Sequence, residues 1–273
     1  MTEKIQASVI VAFYNKIELL KIVLSALNNQ YDGSFNVVIA DDGSRSDVVN
    51  EISSLKTSYK FELIHLWQAD NGFRKNKILN QAVLHSNEYL IFTDGDCIPQ
   101  RNFVLDHLIN AQEGYCLNGR RADLSETVSK KINLEKPETF FKRHIKEILI
   151  EYMFGRGKNI EKGFRINISK ISDYLNRKEK GIVGCNFSLF RNDILKINGF
   201  DERYEAAGTG EDSDVEFRLR LAGVRIKNIF FKANQIHIYH KELPRSPDND
   251  NLFSAVKESE KSYTPFGIKR QED

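Results

Sequence analysis

Asp94 and Asp96 are two carboxylates separated by one glycine, and they follow closely on the apolar run 89–92. Carboxylates spaced in this way on a tight turn can both reach one hard cation, and Mg²⁺ or Mn²⁺ held so can bridge a diphosphate. Gly95 between them allows a ligand to approach the backbone closely. Acidic residues are also common in ordinary surface turns, but an apolar strand in front aims this turn into a cleft. The pattern therefore favours a metal site.

A second acidic cluster, Glu211, Asp212 and Asp214, lies where a glycine-rich loop runs into a predicted helix. Carboxylates stabilise a helix N-terminus, but one carboxylate is enough for that purpose. Three of them so close together repel one another unless a cation, an acceptor hydroxyl group or a basic partner lies nearby. The cluster therefore predicts a catalytic or acceptor-binding role.

His237 and His240 end a further apolar run, 226–236. A neutral imidazole is a common ligand of divalent metals, so a histidine here can complete a shell begun by carboxylates. Residues three apart in an extended strand face opposite sides. We therefore expect one of the two histidines to bind metal and the other to face away.

These residues follow strands in a regular alternation of strand and helix over residues 7–94. Short β-branched runs predict the strands, and apolar residues at helical spacing predict the helices. The predicted strands are 7–13, 35–40, 61–66 and 89–92, and the predicted helices between them are 16–30, 47–55 and 75–86. The alternation predicts an α/β fold with a mostly parallel, Rossmann-like sheet and helices on both faces. Such sheets bind ligands at the carboxyl ends of their strands, where Tyr14-Asn15, Asp41-Asp42 and Asp94 lie.

The segment 120–180 differs from the rest of the chain in its charge. It has 16 Lys or Arg against 9 Asp or Glu, a net +7, which leaves −5 for the remainder of a chain whose total is +2. Residues 136–154 predict one amphipathic helix with Pro137 in its first turn. Its predicted apolar face consists of Phe141, Ile145, Ile148, Leu149 and Tyr152. The positive charge predicts either a solvated face or a surface that meets anionic lipid heads or an anionic, lipid-linked glycan.

The chain shows no membrane-spanning or export signal. No apolar run approaches about 18 residues, and the first residues include an acid and lack a small-residue cleavage site. Cys97, Cys116 and Cys185 are widely spaced and predict free thiols in a reducing compartment. We therefore expect a cytoplasmic protein, with the inner face of the cell membrane as a surface for peripheral association.

Several motifs, taken together and in this order, resemble those of a family 2 glycosyltransferase with the GT-A fold. The 181–243 half resembles the catalytic domains of β-1,4-galactosyltransferases and bacterial chondroitin-type polymerases, and FRKNKILN is similar to their Arg/Lys-rich donor-binding stretch. The motifs that carry the resemblance are VIVAFYN, VVIADDGS, FTDGDCIP, GCNFSLFRNDILKINGFDERY and GTGEDSDVEFRLRLAG. The resemblance implies metal-dependent, inverting transfer of Gal, GalNAc, GlcNAc or Glc from a UDP-sugar to a hydroxyl group of a growing glycan, such as lipopolysaccharide or capsule.

The resemblance also implies roles for individual residues. Asp94 and Asp96 would hold Mn²⁺ or Mg²⁺, with His237 as the best match for a metal-ligating histidine and His240 as the alternative. Asp212 would be the catalytic base, and Glu211 would contact the acceptor or the sugar. The implied nucleotide-sugar contacts are Ala12, Phe13, Tyr14, Asn15, Asp41, Asp42, Arg74, Lys77, Asn80, Thr93, Asp94 and Gly95. The stretch AAGTGED lacks the aromatic residue that galactosyltransferases carry before Gly-Glu-Asp. The resemblance therefore does not identify the transferred sugar or the acceptor.

The predicted organisation is one domain in consecutive parts. Residues 1–119 form the nucleotide-sugar-binding α/β half, 120–180 a basic helical insertion, 181–243 the acceptor-binding and catalytic half, and 244–273 a polar C-terminal tail. The expected partners are a UDP-sugar and a glycan or lipid-linked glycan acceptor, with no nucleic acid. Two alternatives remain at this stage: a nucleotidyltransferase, and a catalytically inactive carbohydrate-binding protein on the same fold.

Overall fold

The computed structural model describes residues 5–31, 35–178, 180–241 and 246–269. The predicted alternation of strands and helices over residues 7–94 is confirmed, and each element begins and ends close to its predicted bounds. The strands are β1 (Ala7–Phe13), β2 (Phe35–Asp41), β3 (Leu63–Trp67), β4 (Tyr89–Asp94), β5 (Cys97–Pro99), β6 (Tyr115–Asn118), β7 (Arg121–Asp123), β8 (Phe187–Phe190), β9 (Arg225–Asn228) and β10 (Gln235–His237).

Helices pack on the sheet and continue through the middle and end of the chain. The helices are α1 (Ile17–Asn28), α2 (Ser46–Ser54), α3 (Lys75–Leu84), α4 (Phe103–Asn110), α5 (Glu126–Ser129), α6 (Phe140–Arg143), α7 (Ile145–Met153), α8 (Ser169–Leu175), α9 (Arg191–Lys196), α10 (Glu211–Leu221) and α11 (Pro247–Ser259), with 3-10 turns at Pro137–Thr139 and Ile160–Gly163. Within the described residues, no helix is long and apolar enough to cross a membrane.

The main sheet has the order β3-β2-β1-β4-β8-β6-β9. Strands β1 to β4 are parallel to one another, whereas β8 is antiparallel to both β4 and β6. Every residue of β1 is buried, because helices cover both faces of the sheet. Val9 and Val11 face the core layer that includes α1, and Ile10 and Ala12 face the layer that includes α3 and α10. The predicted α/β class is therefore confirmed.

A second, three-stranded sheet has the order β5-β10-β7. Strand β10 runs antiparallel to β5 and parallel to β7. In this register His237 lies opposite both Cys97 and Asp123. The small sheet therefore carries the histidine to the turn that follows β4, and it includes residues 121–123 of the predicted basic insertion.

The single helix predicted over residues 136–154 is wrong. The chain forms the 3-10 turn, then α6, then α7, and His144 between the two helices leaves helical geometry with φ −106° and ψ 15°. The His144 ring stacks on Phe140, with ring centroids 4.2 Å apart. Beyond this break Ile148 is buried, but Leu149 and Tyr152 are 42% and 48% exposed. Two of the five residues of the predicted apolar face are therefore exposed to solvent.

Residues 247–259 of the predicted polar tail form α11, which packs on the helix that carries the second acidic cluster. The Phe253 ring lies edge-on to Phe217 of α10, with centroids 6.3 Å apart. Asn249 Nδ2 donates to Ala206 O at 2.8 Å. Residues 242–245, which include the predicted start of the tail at 244, lie outside the described residues. Residues 1–4 of the predicted first part also lie outside them.

Candidate active site

The carboxyl ends of β1, β2 and β4 meet at one edge of the main sheet, as predicted for parallel strands. Ala12 lies opposite Ala40 on one side and Asp94 on the other. The side chains of Ala12 and Phe13 are buried, and their carbonyl oxygens accept hydrogen bonds from Gly95 N at 2.8 Å and Asp42 N at 3.0 Å. The backbone after β1 thus holds together the turns that follow β2 and β4.

Tyr14 and Asn15 form the exposed rim of this edge. Tyr14 is 49% exposed, and its hydroxyl donates to Asp70 Oδ2 at 2.9 Å. Asn15 has a left-handed backbone with φ 57°, a conformation that asparagine tolerates better than most residues. Its backbone N–H donates to Ser44 Oγ at 2.7 Å. The exposed tyrosine ring offers a flat apolar face to a ligand at the mouth of the cleft.

The two aspartates after β2 have different surroundings. Asp41 is fully buried, where its carboxylate accepts from Ser44 N at 2.9 Å and contacts His65 Nε2 at 2.9 Å. Asp42 is only partly buried and accepts from Arg74 N at 2.8 Å. Burial raises the pKa of Asp42 above its ordinary value, with hydrogen bonds from Gln68 and Arg74 opposing the shift. Asp42 can therefore face a ligand, whereas Asp41 shapes the loop from beneath.

Asn80 and Thr93 do not face the cleft, contrary to their predicted role in donor binding. Asn80 is fully buried, and its amide accepts from Phe200 N at 2.8 Å and donates to Phe200 O at 2.9 Å. Thr93 is 1% exposed and donates to Gln235 Oε1 at 3.1 Å. Both side chains are engaged in joining the two halves of the fold. Lys77 is half-buried on α3.

Lys75, which the sequence analysis did not single out, joins the two acidic clusters. Its Nζ donates to Asp94 Oδ1 at 2.9 Å and to Glu211 Oε1 at 3.0 Å. Although burial opposes the charged form, the two carboxylates hold the pKa of Lys75 above its ordinary value. The basic stretch FRKN could have suggested this lysine. The sequence pattern does not show, however, which of its two cations begins the helix and faces the cleft.

Asp96, His237 and His240 form a compact group whose ligand atoms lie within 4.8 Å of one another. Asp96 Oδ2 is 3.2 Å from His240 Nε2, and Asp96 Oδ1 is 3.7 Å from His237 Nε2. The expectation that the two histidines face opposite sides is wrong, since their Nε2 atoms are 3.0 Å apart. Strand β10 ends at His237, so the two-residue period does not extend to His240.

The hydrogen bonds of the two imidazoles indicate a site for a cation. His237 Nδ1 faces Asp123 Oδ1 at 3.0 Å, and His240 Nδ1 faces Lys241 O at 3.0 Å. With the ring proton on Nδ1 of each imidazole, both Nε2 lone pairs are free to bind one cation. Neighbouring ligands of an octahedral ion with bonds of about 2.1 Å lie about 3 Å apart. The donor set fits Mn²⁺ or Mg²⁺, and Asp123 orients His237 from behind.

Asp94 belongs to a different contact group than Asp96. Its carboxylate pairs with Lys75 and lies within 4.8 Å of the thiols of Cys97 and Cys185, which are buried. The Arg121 guanidinium approaches both thiols, with Nη1 3.4 Å from Cys185 Sγ. The two carboxylates predicted to share one cation thus have separate partners in this structure. Their joint binding of metal through a donor diphosphate remains a prediction.

The three carboxylates at the start of α10 also have separate partners. Asp214 is fully buried and paired with Arg218. Asp212 is partly exposed, and its Oδ2 accepts from Gly184 N at 3.2 Å. Glu211 Oε1 accepts from Lys75, while Oε2 is buried without a hydrogen-bond partner among the described residues. Burial raises the pKa of Glu211. The repulsion within the cluster is therefore relieved by one arginine and one lysine, and Asp212 remains available to a ligand.

Comparison with known proteins gives the following matches. The model of the family described as glycosyl transferase family 2 matches residues 8–196. The model described as the N-terminal domain of galactosyltransferase matches residues 165–241. Chondroitin synthase of Escherichia coli is 24% identical over 250 residues, which cover 87% of this chain and 35% of that protein. Chondroitin synthase of Pasteurella multocida is 26% identical over 259 residues, with 89% and 25% covered. The chain thus spans 35% and 25% of the length of these relatives.

Solved structures with a similar fold hold nucleotide or nucleotide and metal. Staphylococcus aureus TarS 1–349 in complex with UDP superposes with a TM-score of 0.61 and 17% identity, over 94% of this chain and 65% of that one. GalNAc-T7 with UDP, GalNAc and Mn²⁺ superposes with a TM-score of 0.63 and 12% identity, over 94% and 48%. At these identities the likeness concerns the fold.

Proposed function

This chain belongs to glycosyl transferase family 2, and we propose that it transfers Gal, GalNAc, GlcNAc or Glc from a UDP-sugar to a hydroxyl group of a growing cell-surface glycan. One observation carries the proposal. Lys75 bonds Asp94 at the end of β4 and Glu211 at the start of α10, so the donor end of the sheet and the second acidic cluster share one cleft. Membership of this family does not support the nucleotidyltransferase alternative.

For the donor, we propose that the exposed ring of Tyr14 and the carboxylate of Asp42 contact the nucleoside. Arg74 and Lys75 lie at the start of α3, where cations and backbone N–H groups favour a diphosphate. Lys75 is paired with two carboxylates of the chain. A negatively charged donor would compete with these carboxylates for the Lys75 ammonium group. Its removal is therefore expected to weaken donor binding.

We propose that Asp96, His237 and His240 hold Mn²⁺ or Mg²⁺, with Asp94 joining through the donor diphosphate. When bound, such an ion stabilises the charge that develops on the leaving diphosphate, a contribution of several kcal/mol. The chain's own residues orient the donor and hold His237 in the tautomer that leaves Nε2 free, through Asp123.

We propose that Asp212 removes the proton of the acceptor hydroxyl group. A poor nucleophile of this kind gains roughly 10²- to 10⁴-fold from a positioned base. Asp212 is partly exposed and needs no lysine partner, whereas Glu211 is tied to Lys75. One base on the face opposite the leaving group implies single displacement with inversion at the anomeric carbon.

For the acceptor we propose a class of glycan, and for the cellular location a membrane surface. The E. coli and P. multocida relatives are chondroitin synthases, and a glycan or lipid-linked glycan is the acceptor class we propose for this chain. The accessible apolar and basic surface around α7 supports peripheral association with an anionic membrane on its cytoplasmic side.

Calorimetric titration with UDP in Mn²⁺, and turnover of a panel of UDP-sugars, would test the proposal. UDP affinity should fall at least about tenfold in excess chelator and equally in Asp96→Ala, because even outer-shell ligand partners change metal affinity by that factor. Asp47→Ala, which removes an exposed carboxylate on α2, should leave the affinity unchanged. Chelator-independent UDP binding, or no hydrolysis or transfer with any UDP-sugar, would contradict the proposal.

A further inference from the structure

Two cations with unusual surroundings, Arg120 and Lys162, lie beside the ring of Phe230. Arg120 Cζ is 4.4 Å from the centroid of the Phe230 ring, and Lys162 Nζ is 5.4 Å from the same centroid. Arg120 Nη2 donates to Gly181 O at 2.7 Å. Three residues further along the same segment, Gly184 N donates to Asp212 Oδ2. Arg120 therefore borders the segment that contacts the proposed base, and Lys162 lies beside the same aromatic ring as Arg120.

The Arg120 guanidinium is held by neutral oxygens alone. Its Nη1 donates to Asn118 Oδ1 at 2.6 Å and to Gly119 O at 2.8 Å, and its Nη2 donates to Gly181 O. Within the described ranges, no carboxylate lies at ion-pair distance and Nε has no hydrogen-bond partner. Burial opposes the charged form and lowers the pKa of Arg120, with nearby anionic groups opposing the shift.

Two other partly buried arginines pair their Nε/Nη2 edge with a carboxylate, whereas Arg120 donates Nη2 of this edge to Gly181 O. Arg165 donates from Nε and Nη2 to Asp106 at 2.7 and 2.6 Å. Arg203 donates from the same two nitrogens to Asp201 at 3.0 and 2.7 Å. This fork matches the two oxygens of a carboxylate or a phosphate. In Arg120 its Nε–H remains available to an anion from outside the chain.

Lys162 is also poorly compensated. It is 8% exposed, and its Nζ lies 4.0 Å from the centroid of the Phe231 ring. Its nearest carboxylate among the described residues, on Glu161, is 3.7 Å away and 54% exposed. Burial lowers the pKa of Lys162, and the positive charges of Lys180 and Arg120 lower it further. The carboxylate of Glu161 acts in the opposite direction. A bound anion would relieve the repulsion among these cations.

The position of the pair separates it from the donor diphosphate. Arg121, the next residue, points to the other side of the chain, where its Nε donates to Asp123 Oδ1 at 2.9 Å beside the metal-ligand group. Arg120 points away from that group, towards Phe230 and Gly181. An anion between Arg120 and Lys162 would therefore approach from the Asp212 side.

We propose that Arg120 and Lys162 form a subsite for an anionic group of the acceptor, a carboxylate or a phosphate carried by the glycan. The assignment to the acceptor rests on the proposed function, in which Asp212 receives the acceptor hydroxyl group. A single anionic substituent at this subsite would select charged over neutral acceptors and would set the position of the hydroxyl group relative to Asp212.

The test uses three matched probes that differ in one substituent: methyl β-glucoside, its 6-phosphate, and methyl β-glucuronide. Their dissociation constants are measured by NMR titration at constant ionic strength, with UDP and Mn²⁺ present. We expect at least one charged probe to bind about tenfold or more tightly than the glucoside, the factor expected for a hydrogen bond between charged groups. Whether the phosphate or the carboxylate shows the gain identifies the source of the anion.

The gain should disappear in Arg120→Gln and decrease in Lys162→Met, which keeps the apolar stem against Phe231. It should persist in Lys56→Gln, which removes an exposed charge beyond the end of α2. Equal affinity for all three probes, or a gain that survives both variants, would overturn the subsite. If Arg120→Gln does not fold, Lys162→Met decides. UDP affinity in the same samples reports separately on the proposed function, since these probes need no turnover.

Discussion

Single residues in the second acidic cluster have unequal surroundings, although they are close neighbours in sequence. Asp214 is paired with Arg218 in the core, and Glu211 is paired with Lys75. Among the described residues, Asp212 accepts hydrogen bonds from Gly184 N and from the backbone and hydroxyl group of Ser213. A base must reach the proton it removes and must not be neutralised by a fixed cation. Among the three, Asp212 alone meets both conditions.

Asp212→Asn keeps the shape and one of the two backbone hydrogen bonds, from Gly184 N or Ser213 N, but removes the capacity to accept a proton. Turnover should fall by at least about a hundredfold. UDP affinity should change little, because in the part of the chain that the structure describes the hydrogen bonds of Asp212 are to Gly184 and Ser213 and to none of the proposed donor contacts. Steady-state kinetics and calorimetry measure the two effects separately. Glu205→Gln, which neutralises an exposed carboxylate nearby, serves as the control, and an Asp212→Asn enzyme with most of its turnover would transfer the role to Glu211.

At the scale of elements, the segment α6–α7 combines apolar exposure with positive charge. Ile150, Met153 and Phe154 are 50%, 78% and 71% exposed. Lys142, Arg143 and Lys146 lie on the same short helices. An apolar stripe beside basic residues is the pattern of a helix that lies in a membrane interface. These three apolar residues lie outside the predicted apolar face, and Leu149 and Tyr152 of that face are exposed beside them.

Binding to vesicles with anionic lipids should therefore be measurable at low salt and should weaken steeply as salt is added. Each Lys or Arg near such a surface contributes on the order of 1 kcal/mol, and salt screens this term. Reversing Lys142, Arg143 and Lys146 to Glu should weaken sedimentation with vesicles and leave UDP affinity unchanged. Reversing Lys56 and Lys60 instead is the control. Absence of the protein from the vesicle pellet at low salt would leave this surface as a solvated face.

At the scale of the whole molecule, His107 is one of the buried polar residues that tie the sheet to its surroundings. It is fully buried on α4, with Nδ1 2.7 Å from Ser188 Oγ and Nε2 3.1 Å from Asn186 Oδ1. Asn186 in turn donates to the backbone of Arg120 and Ala233. Burial lowers the pKa of His107 to about 4. The imidazole is therefore neutral in the folded protein at neutral pH.

The free energy of unfolding should decrease as the pH falls from about 6.5 towards 4. The unfolded chain binds a proton at His107 near pH 6.5, whereas the folded protein does not until about pH 4, so acid favours unfolding. Between pH 7 and pH 5 this one group accounts for a loss of about 2 kcal/mol. Denaturant unfolding of the wild type and of His107→Gln measures it. Equal pH slopes for the two proteins over this interval would show that His107 does not titrate in this way.

The sequence by itself determined the α/β class, the four parallel strands of the first half and the carboxyl-end position of the polar turns. These features depend on local periodicity and on the rule that parallel strands end at one edge, and both can be recognised along a short stretch of chain. It also nominated Asp94 and Asp96, together with one of His237 and His240, for one metal site. It could not determine that the two histidines converge, since that depends on where β10 ends.

Only the tertiary structure decided which charged groups meet. Lys75 and Glu211 are 136 residues apart in the chain, and Asp123 and His237 are 114 apart. No local pattern encodes such contacts, because they arise when separate elements pack against one sheet. The same packing placed Asn80 and Thr93 in the core, and among the described residues it left Arg120 and Lys162 without a buried carboxylate at ion-pair distance. The charge and burial of a side chain depend on its neighbours in space. Residue type and spacing could therefore indicate which residues form the site, but not which role each of them has.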